Sequence, residues 1–453
     1  MERHIDLEKA QKGRLITDVS DVLLVAAIAT LPVDGLKIGI AMPYWTPIAP
    51  LFFVLYAIFN VKYLVRSMRK FAGFYVFFIA LIALSFFGWM TIGFHTLHVF
   101  RTLFALLAGL ACLASLDIAF RLKRVSRNKA LILLMVVYWL VFVVGIVQWY
   151  GCKTNDASLT ALFERLMERN YMPRKPQFLF AESSYIGMHL FGVLLPLFWL
   201  TKRRSLAVLV VVFAVGSAIM GVGVRILIDA VVALLLWVVI AIPWGKKSVV
   251  IPAVAGLGAI GAGGAVVLSH DSRVQSLLGQ GILQGDFSTF ARIFRTICPL
   301  MAGYHDHAHL LFGFGAGNLK DAIKRGYQPA CDWLNARGGD TARNGEIGLL
   351  ANPHTEDYYF TMNGYVSFIA EFGVVMLIAL FALVIAHITI NKAWNKRNIC
   401  WLLLLMYLYL QFEAYAFYAF WLFIWAIGMQ NNRNGVKRPI GRHAAVKNEA
   451  AIA

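Results

Sequence analysis

Long apolar stretches alternate along the chain with short polar breaks that carry Lys and Arg. Several stretches reach about 18 residues or more, close to the ~20 that an α-helix needs to cross the hydrocarbon core of a bilayer. The pattern predicts an all-α polytopic membrane protein with about twelve transmembrane helices. The predicted spans are Ile16 to Leu31, Tyr44 to Val61, a run ending near Met90, Thr96 to Arg121, Ala130 to Tyr150 and Phe178 to Leu200. A tight pair then turns near Gly221 to Arg225 and returns at Lys246 and Lys247, followed by a Gly-rich run from Val249 to Leu268. Met362 to Ile390, Ile399 to Leu410 and Ala414 to Met429 complete the set.

Loop charge gives the sidedness. Basic clusters at Lys62–Lys70, Arg121–Lys129, Lys202–Arg204 and Lys392–Arg397 recur on every second connection, and short loops rich in Lys and Arg stay in the cytoplasm. Both termini fall on that side. The chain divides into nine N-terminal spans (1–268), a large external polar loop (269–361), three C-terminal spans (362–430) and a cytoplasmic tail (431–453) too polar to build a core. A second external loop, Gly151 to Gln177, contains an amphipathic stretch from Ala157 to Arg169 that predicts a helix lying on the membrane surface.

Composition agrees: the chain is 60% hydrophobic and 15% charged over 453 residues, against roughly 45–50% and 25% in soluble domains. The net charge of +18 would suggest nucleic acid in a soluble protein. Here the excess base lies in the orienting loops, so no nucleic-acid partner is expected and membrane lipids are. The charged stretch Met1 to Arg14 is too long for the start of a cleavable signal peptide. Five cysteines form no CxxC pair, which argues against a zinc or redox framework; pairing among Cys152, Cys298 and Cys331 stays open.

Candidate chemistry gathers on the external side. An ionisable residue within a span costs roughly 2.5–3.5 kcal/mol on insertion scales and is a functional candidate by default. Arg225 opens the eighth span, and it either pairs with Asp229 one turn on or points into a cavity to bind phosphate. Glu182 opens the sixth span beside Ser183 and Ser184, where a carboxylate favours the positive end of a helix. Arg292 and Arg295, three apart in an amphipathic stretch, predict a helix with both guanidinium groups on one face, suited to phosphate or simply to solvent. His354 beside Glu356 and Asp357 is either a general base or a hydrogen-bonded loop residue.

Two other motifs weaken on inspection. In His305-Asp306-His307-Ala308-His309 the alternate histidines do not share a helical face and no second ligand cluster joins them, so a polar loop is expected rather than a metal site. The Gly313-Phe314-Gly315-Ala316-Gly317 run lacks the strand and helix context of a nucleotide site, and predicts a tight turn leading to a helix from Asn318.

Taken in order and on one side, these residues resemble the O-antigen ligase and Wzy-type polymerase superfamily. The resemblance rests on Arg225, on Arg292 before Gly313-Phe314-Gly315, on His354 before Glu371-Phe372-Gly373, and on Glu182-Ser183-Ser184, similar to a Glu-Pro-Ser segment with Ser183 in place of the proline. A second departure is Thr355, where asparagine often follows the histidine. The resemblance implies a GT-C-like fold with a large periplasmic loop between spans nine and ten, in the bacterial inner membrane. It implies a glycosyltransferase whose donor is an undecaprenyl-pyrophosphate-linked glycan and whose acceptor is a second lipid-linked repeat unit, with a chain-length regulator as partner. Arg225, Arg292 and His354 would be catalytic, and Glu182, Arg295 and Tyr358 would bind substrate, without metal or cofactor. An O-antigen ligase acting on lipid A–core is the alternative. A transporter is a third reading, against which the sequence offers no inverted repeat and no pair of helices broken at the midplane.

Overall fold

A computed structural model describes residues 14–39, 45–223, 225–242, 245, 247–269, 272–352 and 359–430. The chain is helical throughout. In order the helices are α1 (Asp21–Ala29), α2 (Ala49–Phe59), α3 (Val61–Lys70), α4 (Ala72–Thr91), α5 (Thr96–Asp117), α6 (Arg127–Thr154), α7 (Ala157–Leu166), α8 (Tyr185–His189), α9 (Leu195–Thr201), α10 (Arg204–Ile219), α11 (Arg225–Leu236), α12 (Lys247–Ser269), α13 (Ser272–Gln280), α14 (Phe287–His305), α15 (His307–Phe312), α16 (Leu319–Asn335), α17 (Gly345–Ala351), α18 (Gly364–Ile390), α19 (Lys396–Tyr409) and α20 (Tyr418–Gly428).

Every predicted apolar run coincides with a helix. Among the described residues, four are long and apolar enough to cross a membrane: α4, α5 with its continuation to Leu122, α6 and α18; a bent pair, α2 and α3, makes a fifth if counted as one span. Shorter apolar helices run over Tyr185–Thr201, Arg204–Ile219 and Tyr418–Gly428. The protein is therefore an all-helical molecule with helices suited to a bilayer.

Two predicted spans differ from the helices found, for local reasons. Helix starts at Asp21, well inside the first run, because Asp21 Oδ2 accepts from the Thr17 amide and hydroxyl and Oδ1 accepts from Tyr56 and Lys123. That cluster holds the preceding residues in turns. The second run breaks at Asn60, whose side-chain amide donates to the Tyr56 carbonyl and to Ser20. α3 leaves α2 at 104° there.

The polar segment folds as a helical cap over the bundle. α14 packs along α16 around Phe290, Phe294, Cys298, Ile323 and Leu334, all 2% exposed or less. Its cysteines are free, and Cys298 Sγ donates to the Ile323 carbonyl at 3.0 Å. The predicted turn at Gly313–Gly317 is present, with left-handed φ of 83°, 91° and 83° at Gly313, Gly315 and Gly317.

This turn docks onto a break in α18. Gly373 has φ 80° inside that helix, which frees carbonyls of the preceding turn. The Phe314 and Gly315 amides donate to the freed carbonyls of Ala370 and Glu371 at 2.8 and 2.9 Å. A Cβ on Gly373 would lie 2.1 Å from the Leu311 carbonyl, so only glycine permits the approach. The Glu371 side chain completes the joint, accepting from Gly317 N (2.8 Å), Thr102 (2.9 Å) and Tyr415 (2.7 Å).

Candidate functional site

Glu182 reaches the site on a segment of turns and bends that starts with Phe178 at φ 61°. The Gln148 side chain receives the Gln177 and Phe178 amides and donates to the Phe178 carbonyl, holding that turn. Asp34 supports the next residues: its Oδ1 accepts from Ala181 N at 2.8 Å and its Oδ2 is 2.9 Å from His189 Nε2. His189 Nδ1 meets Tyr138 Oη at 2.7 Å, and the His189 ring is fully buried. The chain Tyr138–His189–Asp34–Ala181 thus fixes the backbone just before Glu182. Ser184 stands at the N-cap of α8 but makes no capping bond.

Arg225 opens α11 as expected, with both sequence readings realised in part. Its Nε lies 3.8 Å from Asp229 Oδ2, close but beyond hydrogen-bond length. Asp229 Oδ1 accepts instead from Tyr407 at 2.8 Å. Gly187 makes room for this, since a Cβ there would fall 2.0 Å from Asp229 Oδ2. Among the described residues, Arg225 Nε and Nη2 and Glu182 Oε2 are buried with no hydrogen-bond partner. Asp229 Oδ2 is bare as well, and buried polar atoms left without partners are costly.

Arg292 arrives from the cap on α14. Its Nη2 lies 3.6 Å from Glu182 Oε1, and its side chain is 37% exposed. Arg292 and Glu182 both act electrostatically on Arg225, so two guanidinium groups and one carboxylate converge from three distant parts of the chain.

Arg295 does not share Arg292's surroundings. It is 2% exposed, its Nη1 donates to the Phe360 carbonyl at 3.1 Å, and its guanidinium stacks on the Phe360 ring at 4.1 Å. Positions three apart on a helix are offset by about 60°. That offset puts Arg292 at the rim and Arg295 between α14 and the segment before α18, where it braces the wall. His354 and Tyr358 lie outside the described residues.

The wall that Arg295 braces borders a small pocket lined by Ser184, Tyr185, Arg225, Phe360, Met362, Gln411, Phe412 and Glu413. Glu413, in the turn between α19 and α20, is central to it. Its Oε2 accepts from Thr361 N (2.7 Å), Thr361 Oγ1 (2.9 Å) and Met362 N (3.0 Å), clasping the 359–363 segment to the α19–α20 turn. An apolar cavity of about 140 Å³ lies on the other side of the same turn, where Gly364, Tyr365, Ala414 and Tyr415 join Phe residues of α4 and α18 in its lining.

Sequence reasoning missed Asp34, Gln148, His189, Glu371 and Glu413 as site supports. The signal existed: each is a polar residue next to or within an apolar run, the same rule that flagged Arg225 and Glu182.

The His305–His309 run ends one helix and starts the next. Asp306 Oδ1 accepts from His309 N, Asp306 Oδ2 lies 2.6 Å from His309 Nδ1, and His309 Nε2 meets Thr91 at 2.8 Å. Among the described residues no group of three or more His, Cys, Asp or Glu side chains converges to hold a metal. The fold and site together define an all-helical protein with bilayer-length helices and a capped, arginine-bearing pocket. No protein family, no curated protein and no solved structure matches the chain.

Proposed function

We propose that the protein is a polysaccharide polymerase of the bacterial inner membrane. It moves a growing O-antigen or exopolysaccharide chain from undecaprenyl pyrophosphate onto a second lipid-linked repeat unit at the periplasmic face. The observation that carries this reading is the convergence of Arg225 and Arg292 beside Glu182, with Arg225 Nε and Nη2 buried and without a hydrogen-bond partner among the described residues. A pyrophosphate leaving group supplies the missing acceptors, and forked donors suit its oxygens.

In this reading the acceptor hydroxyl oxygen forms a bond to the anomeric carbon while the bond from that carbon to the pyrophosphate oxygen breaks. Negative charge grows on the departing pyrophosphate, and the buried Arg225 and the rim residue Arg292 stabilise it. The acceptor proton passes to His354. Glu182 orients the acceptor sugar, and Arg295 acts through the pocket wall. The apolar cavity beside the pocket accommodates a hydrocarbon tail, as a lipid-linked substrate requires. About twelve spans with a GT-C-like arrangement fit the same scheme.

The test is a deletion strain complemented by wild-type or Arg292→Ala protein, with glycolipids resolved on a gel. Loss of long chains in the deletion and the Arg292→Ala strain, with single repeat units retained, is the expected result. Long chains that persist on the lipid carrier while the mature glycolipid vanishes would instead identify a ligase. An unchanged glycan profile would remove glycan assembly altogether.

A further inference from the structure

The short helix α3 carries two parallel exposed stripes. Val61, Val65 and Met68 are 62%, 52% and 37% exposed, and their spacing of four then three places them along one line of a helix. Lys62, Arg66 and Arg69, also exposed, repeat the same spacing one residue later and form a basic line about 100° further round. The remaining side holds Leu64, buried Ser67 and, just beyond, Phe71, packed toward the core.

The placement of this helix gives the stripes meaning. α4 begins directly after α3 and ends at Thr91 on His309 of the cap, so α3 lies at the end of the bundle away from the cap. α2 is apolar, and α3 leaves it at 104°; with α2 upright in a bilayer, α3 would run along the membrane plane. The apolar stripe continues the lipid-facing surface of Ile58 and Phe59, 58% and 69% exposed. Arg66 and Arg69 have no ion pair among the described residues, whereas nearby Arg121 and Lys70 are matched by Asp117. Lys62 rests on the Tyr63 ring.

We propose that α3 is an interfacial docking site for anionic phospholipids. Val61, Val65 and Met68 insert at the boundary of the acyl chains, and Lys62, Arg66 and Arg69 meet headgroup phosphates of the inner leaflet. Charge complementarity selects this occupant: three exposed cations without an ion pair among the described residues, set beside an apolar stripe, fit an anionic bilayer surface and would repel a second copy of the same face. The inference does not depend on the glycosyltransferase reading.

The test places one fluorophore on the full-length chain at Val65→Cys, with Cys152→Ser removing the half-exposed native thiol. The protein is reconstituted in phosphatidylcholine vesicles carrying a small fraction of acceptor-labelled phosphatidylglycerol or acceptor-labelled phosphatidylcholine. Energy transfer should favour phosphatidylglycerol, with enrichment falling on the order of fivefold for each charge removed by Lys62→Gln, Arg66→Gln and Arg69→Gln. In the otherwise unmutated labelled protein the preference should also collapse at ~1 M salt, where the screening length is about 3 Å, an arm that does not need the triple variant to fold. Equal transfer to both lipids in low salt, or a preference that survives either treatment, would overturn the proposal.

Discussion

Glu182 Oε1 lies 3.6 Å from Arg292 Nη2, joining the segment before α8 to the cap helix α14. The pair is half-made: it is longer than a hydrogen bond, and Glu182 Oε2 has no partner among the described residues. A carboxylate so placed competes with any anion for the arginines. With a purified lipid pyrophosphate as probe, Arg292→Ala should weaken binding about 10- to 100-fold, as expected for a lost charge-assisted bond. Glu182→Gln should strengthen it. Titration calorimetry reads both, and weaker binding by Glu182→Gln would show the carboxylate to be a direct ligand.

Glu413 should matter for the order of the pocket wall. Glu413→Ala leaves the Thr361 and Met362 amides without their acceptor, while the Thr361 hydroxyl keeps the Asn363 carbonyl at 2.8 Å. One or more such buried groups cost about 1–3 kcal/mol each when left unmet. A lower Tm and faster amide exchange confined to 359–363 are expected, with Glu413→Gln milder because its carbonyl oxygen can still accept. Unaltered exchange in that segment would refute the clasp.

Gly373→Ala should loosen the cap from the bundle. The residue holds φ 80° and a Cβ would lie 2.1 Å from the Leu311 carbonyl; strain of this kind costs on the order of 1–3 kcal/mol before the clash is counted. Limited proteolysis should cleave the variant between the cap and α18 faster than the wild type, even where the bundle stays folded.

Replacing His189 with Leu should be more severe than its distance from solvent suggests. The change strips partners from Asp34 Oδ2 and Tyr138 Oη, both buried. Breaking a buried charged network by removing one member costs roughly 3–5 kcal/mol. The paired change His189→Leu with Asp34→Asn should recover part of the loss in thermal unfolding, since it removes the stranded charge.

Acid should loosen the cap through Asp306. Partial burial raises its carboxyl, but the hydrogen bonds from His309 outweigh this and hold it below the ordinary 3.8. A carboxyl held low in the folded state stabilises it above the ordinary value, and that contribution is lost as pH falls through the lowered one. With the Asp306 carboxylate 36% exposed to solvent, screening keeps the effect to a few tenths of a kcal/mol. Asp306→Asn should therefore flatten the decline of cap stability below about pH 4, read by proteolysis across pH.

Much of this architecture was legible in the chain. Apolar runs mark helices because a bilayer leaves a segment no alternative to internal hydrogen bonding, and each predicted run contains one. Arg225 and Glu182 stood out because charge beside an apolar run is rare. The Gly313–Gly317 turn was legible because three alternating glycines permit a left-handed path. Asn60 did not announce the bend between α2 and α3, since that depends on Ser20, forty residues earlier, accepting its side chain.

The sequence by itself therefore determined the helices, their order, the charge-marked face and the residues rich in chemistry, because periodicity, length and desolvation act locally. Only the tertiary structure decided which of those residues meet. It separated Arg292 from Arg295 by about 60° of helix and made Arg295 a brace on Phe360. It also raised Glu413 and Glu371 from turn and helix residues to the clasp and the joint. Those roles rest on distances between segments far apart in the chain, and no local pattern encodes a distance of that kind.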